Sequence, residues 1–385
     1  MDFKTAMEHY KTGVASEEER RLVEEELEKS QLIAEYLDAQ WSCDTAAEAV
    51  SHAELKQVRR NLRKRNALIV CTCLVLVAAL MAGTFQVLLP ALEARYWDAG
   101  TVSFGDQAAT DLEITLNAYD QLFSPGTALL SVNSVKTGFA SYSVCVSYEN
   151  PVRYDTLDTG YANLTLSKNE LQIPDFWDTV SGDNLPLYLL DDPQALQFYR
   201  QQVTQKLESY SDYLNVGAYV TFSESMDMLE FIRYFNYQVN GPYGAGEGLS
   251  WIAWIAVCHK EDILPPDQLC GFSFGGAAQT FDCVNESYPY LDLHSRGSSD
   301  EYNDANVCTE HFLSLLRYSA DQLEAGTGIA VPDEPNYYRD ALAYIEENGI
   351  QIYGCYMVTT PQHLLKQMET DRIAYVQIDD VWIDK

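Results

Sequence analysis

ALIVCTCLVLVAALMAGTFQVLL, residues 67–89, is a run of 23 positions without a charged side chain. At ~1.5 Å of rise per residue, a helix of this length reaches roughly 35 Å, enough to cross a bilayer core with some tilt. A helix also satisfies its own backbone hydrogen bonds in lipid. A buried helix of a soluble core is the alternative, although such helices rarely continue for about 20 residues without a polar face. The run therefore predicts a single transmembrane helix.

The charges on the two sides of this run predict its orientation. Six cations precede it, which we call the basic collar: Lys56, Arg59, Arg60, Arg63, Lys64 and Arg65. Glu93, Arg95 and Asp98 follow it. Cytoplasmic flanks carry the excess of Lys and Arg, so we expect the N-terminus in the cytoplasm and the C-terminal part outside the cell membrane. The length and position of the run do not fit a cleaved signal peptide.

These features divide the chain into five expected segments. They are a cytoplasmic all-α segment at 1–42, a linker with the basic collar at 43–66, the transmembrane helix at 67–89, a membrane-proximal outer region at 90–195 and a C-terminal outer domain at 196–385.

The charge balance limits the partners of the outer part. Residues 1–66 carry 11 Lys/Arg and 14 Asp/Glu and the apolar run carries none, which leaves −29 of the total net charge of −32 to residues 90–385. This acidic charge argues against nucleic acid or an anionic membrane surface as a direct partner of the outer part. Its six cysteines are compatible with disulfides or with buried free thiols. They are Cys145, Cys258, Cys270, Cys283, Cys308 and Cys355.

Apolar periodicity predicts an α+β fold for the outer part. Residues 112–116 suggest a strand, and residues 131–135 and 139–148 suggest a strand pair with its turn at 136–138. Near the C-terminus, residues 350–358 and 373–378 suggest strands, and Thr360-Pro361 between them is the cap and first residue of a helix. The short links predict a C-terminal βαβ unit with the two strands paired in parallel.

The cytoplasmic segment suggests two helices, at about 3–11 and 16–40. Gly13 ends the first, and Ser16 with Glu19 forms a capping box for the second. Two helices of this size cannot bury both of their apolar stripes on each other, so the remainder needs a partner. One apolar seam of the second helix consists of Val23, Leu27, Ala34, Leu37 and Trp41, and it has Ser30 and Ala34 where a coiled coil would place Leu. Self-association into a coiled coil is one possibility, and docking in a groove of another protein fits this imperfect seam better.

Four stretches of this segment resemble a known family. They are Met7-Glu-His-Tyr-Lys-Thr-Gly13, Ala15-Ser-Glu-Glu-Glu-Arg20, Val23-Glu-Glu-Glu-Leu-Glu-Lys29 and Ile33-Ala-Glu-Tyr-Leu37. They look like the N-terminal domain of the bacterial sigma factor regulator family, which are membrane-anchored anti-sigma factors. Near the C-terminus, Glu347-Asn-Gly-Ile-Gln-Ile-Tyr-Gly354 looks like the C-terminal domain of the same family.

The resemblance implies that the N-terminal helices bind an extracytoplasmic-function sigma factor, and that an unidentified signal acts on the outer domain. We expect seven side chains to make the apolar contact: Met7, Tyr10, Leu22, Val23, Leu27, Tyr36 and Leu37. Many anti-sigma domains carry a zinc motif, His-x3-Cys-x2-Cys. It is absent here, because His9 has no cysteine partner before Cys43. We therefore expect no zinc and no other cofactor.

Two other functions remain open. An extracellular enzyme is disfavoured, because the chain contains no G-x-S-x-G, H-E-x-x-H or C-x-x-C motif and its outer histidines are scattered. His311 is interpreted as an ordinary surface or core histidine. An anchored extracellular binding or adhesion protein with an inert cytoplasmic tail is the other alternative. Removal of residues 1–42 separates it from the anti-sigma hypothesis, because transcription would then be unaffected.

Overall fold

A computed structural model describes most of the chain. The described residues are 3–44, 52–103, 109–125, 127–149, 160–172, 179–235, 250–264, 267–274, 286–292, 303–332 and 334–383, with the side chains of residues 41–44 and 52–56 excepted. The chain divides into two compact units, Met1–Val87 and Leu88–Lys385. Part of the predicted linker at 43–66 lies outside the described residues.

The first unit consists of helices. They are α1 (Phe3–Thr12), α2 (Glu17–Asp44) and α3 (His52–Gly83). Helices α1 and α2 pack on each other. The two predicted cytoplasmic helices are thus confirmed as helices, and the second continues a few residues beyond its predicted end.

One helix of the described chain, Gln57–Glu93, is long and apolar enough to cross a membrane. It continues from α3 through a π-helical turn, Thr84–Leu88, into the short helix α4 (Leu89–Glu93). The hydroxyl groups of Thr72 and Thr84 donate to the carbonyl oxygens of Leu68 and Leu80, each at 2.8 Å. These polar groups are therefore satisfied within the helix, as an apolar surrounding requires.

The second unit is α+β, with antiparallel sheets, which confirms the predicted class in outline. Its longer helices are α5 (Asp111–Phe123), α6 (Pro193–Glu208), α7 (Met228–Tyr234), α8 (Ala305–Ala325), α9 (Tyr337–Asn348) and α10 (Pro361–Met368). The cap that Thr360 and Pro361 predict is present, since the Thr360 hydroxyl accepts from the backbone N–H of His363.

A four-stranded meander forms the first sheet. Its strands are β1 (Ala128–Gly138), β2 (Ser141–Glu149), β3 (Gly160–Ser167) and β4 (Glu170–Gln172), in the order β1-β2-β3-β4. The predicted strand pair is confirmed, but its predicted turn is misplaced. Lys136 pairs with Tyr142 inside the ladder, and the chain reverses at residues 139–140, where Ala140 has a φ of 45°.

Five strands form the second sheet. They are β5 (Leu214–Met226), β6 (Trp251–Val257), β7 (Cys270–Ser273), β8 (Ile352–Thr359) and β9 (Ile373–Ile383), in the order β7-β6-β8-β5-β9. Strands β8 and β9 each pair antiparallel with β5. They run parallel to each other, but the predicted direct pairing is wrong because β5 lies between them. Residues 216–222 of β5 are buried on both faces, which suits an interior position.

Residues 112–116 were predicted as a strand and belong to helix α5 instead. The hydroxyl of Thr110 accepts from the backbone N–H of Glu113 and begins the helix. Every residue of α5 except Glu113 is buried, so its sequence lacks the polar face that makes a helix recognisable.

Two hydrophobic core clusters lie in the described part of the second unit, and the first of them extends across most of it. The first cluster joins Leu112 and Phe123 of α5 to Phe312 of α8 and Ile352 of β8, so it is continuous across residue 195. The described outer cysteines are free thiols: Cys145, Cys258, Cys270, Cys308 and Cys355. Cys283 lies outside the described residues.

Candidate functional site

The candidate site is the hairpin of helices α1 and α2. Gly13 ends α1 with a φ of 78°, a left-handed conformation that glycine adopts without strain. The backbone N–H of Val14 donates to the carbonyl of His9 at 3.0 Å, and that of Gly13 donates to the carbonyl of Tyr10 at 3.3 Å. This pair of bonds is a Schellman motif, which satisfies the last carbonyls of α1 and turns the chain toward α2.

Glu19 connects the two helices. Its carboxylate accepts from the backbone N–H of Ser16 at 2.8 Å, and the Ser16 hydroxyl accepts from the backbone N–H of Glu19 at 3.4 Å. The predicted capping box is therefore confirmed. The other carboxylate oxygen lies 3.0 Å from Nδ1 of His9 on α1. The Ser16 N–H, followed by His9, lowers the pKa of Glu19 below its usual value.

The structure divides the seven predicted contact residues into two groups. Val23 has no exposed surface, and Ala6 of α1 is equally buried, so both belong to the interior of the hairpin. Met7 and Tyr10 are half-buried. The hydroxyl of Tyr10 donates to the carboxylate of Glu24 at 3.5 Å. Val23 is therefore inaccessible to a partner while the hairpin is formed.

The other four predicted residues are exposed: Leu22, Leu27, Tyr36 and Leu37. Helix α1 has 10 residues and α2 has 28, which correspond to lengths of about 15 and 42 Å. Because α1 is so much shorter, it covers only the N-terminal part of α2.

The uncovered half of α2 carries an apolar surface, which we call the distal face. Its members are Leu32, Ile33, Tyr36 and Leu37, with exposed fractions of 62%, 59%, 67% and 54%. Their spacing places them on one side of the helix within two turns. The predicted contact set omitted Leu32 and Ile33. Their spacing to Tyr36 and Leu37 was visible in the sequence, but the reach of α1 was not.

The described residues contain no group of three or more His, Cys, Asp and Glu side chains that could hold a metal ion. His9, the one histidine of the hairpin, is bonded to Glu19. The side chain of Cys43 lies outside the described residues. What the hairpin offers chemically is an apolar binding surface.

No protein-family model matches this chain, and no curated protein or solved structure is significantly similar to it. The resemblance to sigma factor regulators therefore stays a prediction.

Proposed function

We propose that this chain is a membrane-anchored anti-sigma factor. Its N-terminal helices bind an extracytoplasmic-function sigma factor in the cytoplasm, and its acidic α+β unit acts as a sensory domain outside the cell membrane. The observation that carries the proposal is the distal face of α2. Four large apolar side chains lie in water within two helical turns, and such a patch is typical of a binding surface.

A helix-in-groove contact suits this surface. Burial of each apolar side chain stabilises a complex by about 1.5–3 kcal/mol before the costs of association. Leu22 lies on the same side of α2 and extends the exposed apolar surface toward the hairpin. The Schellman motif and the capping box fix the start of α2, so less order has to be created when a partner binds.

Helix Gln57–Glu93 supports the membrane anchor, because its most apolar window has none of its residues buried inside the protein. The basic collar precedes that window, which favours a cytoplasmic N-terminus. A sigma factor is a cytoplasmic protein, so this orientation places the distal face in the partner's compartment.

The first prediction tests the distal face. The full chain in lipid nanodiscs is titrated with the extracytoplasmic-function sigma factors of its own cell, at low and high salt. We expect a one-to-one complex that tolerates salt. Ile33→Asp together with Leu37→Asp should weaken it by at least about 100-fold, because two charges would enter an apolar contact.

Val14→Asp, compared with Ile33→Asp alone, is the matched control. Val14 lies between α1 and α2, outside the distal face, and is 73% exposed, so its change adds a charge where no contact is proposed. Equal weakening by this control would show a general charge effect rather than a specific face. If the wild-type chain binds no sigma factor and associates with itself through the distal face, α2 belongs to a homo-oligomer and the proposal is wrong.

A further inference from the structure

The second unit contains a cavity of about 540 Å³ that the proposed function does not use. It opens between the β3–β4 turn and the C-terminal end of α8. The turn contributes Asn169, strand β4 contributes Glu170 and Leu171, and Leu323 lies near the end of α8. A volume of this size lies within the range of small-molecule sites in proteins.

The lining indicates the chemistry of a ligand. Leu171, Leu323 and Ile329 supply an apolar surface, and the ring of Tyr119 lies beside them. Among the lining residues that the structure describes, Glu170 has the only charged side chain. It is solvent-exposed, in a chain with a net charge of −32, so the site repels anions and attracts cations. An apolar body with one protonated amine satisfies both parts of the lining.

Asn169 connects this cavity to the segment that follows the apolar helix. Its side-chain oxygen accepts from the backbone N–H of Trp97 at 2.5 Å. On its other side, a β-carbon added at Gly326, the C-cap of α8, would lie 3.3 Å from its side-chain nitrogen. The Asn169 amide is therefore bonded to the Trp97 backbone and lies close to the C-cap of α8.

Three further interactions hold the same segment to the first sheet. The carboxylate of Glu93 accepts from the backbone N–H of Ala140 at 2.8 Å and pairs with Lys136 at 2.7 Å. The hydroxyl of Tyr142 donates to the carboxylate of Asp98 at 3.1 Å. Residues 93–98 therefore contact the first sheet and its turns through Glu93, Trp97 and Asp98. Among the partners of these three residues, Asn169 also lines the cavity.

We propose that this cavity binds a small amphipathic amine, with its ammonium group at Glu170, and that Asn169 couples occupancy of the cavity to residues 93–98. The further idea that such a ligand is the sensory signal rests on the proposed function. The binding site and its coupling to residues 93–98 do not depend on the proposed function.

The second prediction is tested with 4-fluorophenethylamine as the probe. Binding to the full chain in phosphatidylcholine nanodiscs is followed by ¹⁹F NMR, with empty nanodiscs subtracted. We expect saturable binding, weakened about tenfold or more by Glu170→Gln. Glu149→Gln makes the same charge change in β2, outside the cavity, and should leave the affinity within about twofold. The anionic analogue 3-(4-fluorophenyl)propanoate should not bind.

Absence of saturable binding, or equal binding of the anionic analogue, would overturn the assignment of the ligand. The same loss of affinity in both glutamate variants would show that overall charge, rather than the cavity, attracts the amine.

Hydrogen exchange of the Trp97 amide tests the coupling. The probe should slow this exchange by roughly threefold or more in the wild-type chain. Asn169→Gly keeps the left-handed backbone, where Asn169 has a φ of 72°, and removes the acceptor. In Asn169→Gly the probe should have no effect on exchange of the Trp97 amide. Asn169→Asp restores an acceptor, so in that variant the probe should again slow the exchange. Binding without any change at Trp97 would overturn the coupling. Neither measurement uses a sigma factor, so failure here and failure of the proposed function are distinguishable.

Discussion

At the scale of single residues, His311 is the group whose burial has the clearest consequence. It lies on α8 without exposed surface, and its Nδ1–H donates to the carbonyl of Tyr290 at 2.6 Å. Its Nε2 has no hydrogen-bond partner among the described residues. Burial lowers the pKa of His311 to about 4, so the ring is neutral in the folded protein at neutral pH.

This pKa predicts a loss of stability in mild acid. The unfolded chain binds a proton at this histidine below about pH 6.5, whereas the folded chain does so only near its lowered pKa of about 4. The free energy of unfolding therefore falls as the pH drops from about 6.5 to 4, by up to about 3 kcal/mol from this group.

His311→Asn should reduce that pH dependence. The asparagine nitrogen can replace Nδ1 as the donor to Tyr290, but the side chain does not titrate. We expect the variant to be about 1–2 kcal/mol less stable at neutral pH, since it leaves a cavity, and to lose less on acidification than the wild type. Urea unfolding of the full chain at pH 7 and pH 5, followed by tryptophan fluorescence, measures both effects. Equal losses in the two proteins would contradict the assignment.

At the scale of elements, Glu19 holds the α1–α2 hairpin together through bonds to both helices. Glu19→Ala removes the capping interaction with Ser16 and the contact with His9. Glu19→Gln can still cap but carries no charge. We expect faster hydrogen exchange in α1 and in the first turn of α2 for Glu19→Ala, and a much smaller change for Glu19→Gln.

Glu28→Ala is the control for this prediction, since it removes an exposed carboxylate from the same helix at a distance from the turn. If Glu28→Ala and Glu19→Ala accelerate exchange equally, helix propensity rather than the link between the helices explains the effect. Because Glu19 has a lowered pKa, its contribution is present at neutral pH and is lost as the pH falls through that pKa.

The sequence predicted those elements of the fold whose signals are local. Gly13, the Ser16–Glu19 box and Thr360-Pro361 each mark a helix end through bonds within a few residues, and the structure has all three. Helix α5 was missed because burial on nearly every side removes its amphipathic pattern. The place of β5 between β8 and β9 depends on contacts more than 100 residues apart, as in the pairing of Val220 with Cys355, which no local pattern encodes.

The candidate site was predictable as a set of apolar positions but not as a surface. Spacing along α2 identified Val23 and Leu27 as members of one seam. Accessibility along that side of α2 depends on where α1 ends, so Val23 is buried while the more distal Leu37 is exposed. The cavity beside Asn169 had no sequence signal, because its lining comes from separate parts of the chain.

At the scale of the whole molecule, the proposal depends on which side of the membrane each unit occupies. The basic collar comes immediately before the apolar run. Positions 57–66 are exposed and contain no acidic residue. Lys and Arg close to a span determine orientation, whereas Asp and Glu contribute little. The large negative charge of the second unit therefore does not decide the topology, and the collar does.

The last prediction tests this orientation in a Gram-negative bacterial host. Alkaline phosphatase, which is active only outside the cytoplasm, is fused after Lys385, and a fluorescent protein that folds only in the cytoplasm is fused there in a parallel chain. We expect phosphatase activity and no fluorescence.

Replacement of Arg59, Arg60, Arg63 and Lys64 by Gln should lower the phosphatase activity by roughly twofold or more, since the charge bias is reduced. The same change at Lys4, Lys11, Arg20 and Arg21 should have little effect, because those cations lie beyond the roughly 15–20 residues over which the bias is counted. A fluorescent, phosphatase-inactive C-terminus would place the distal face of α2 outside the cell membrane, where no sigma factor is present, and the proposed function would then be wrong.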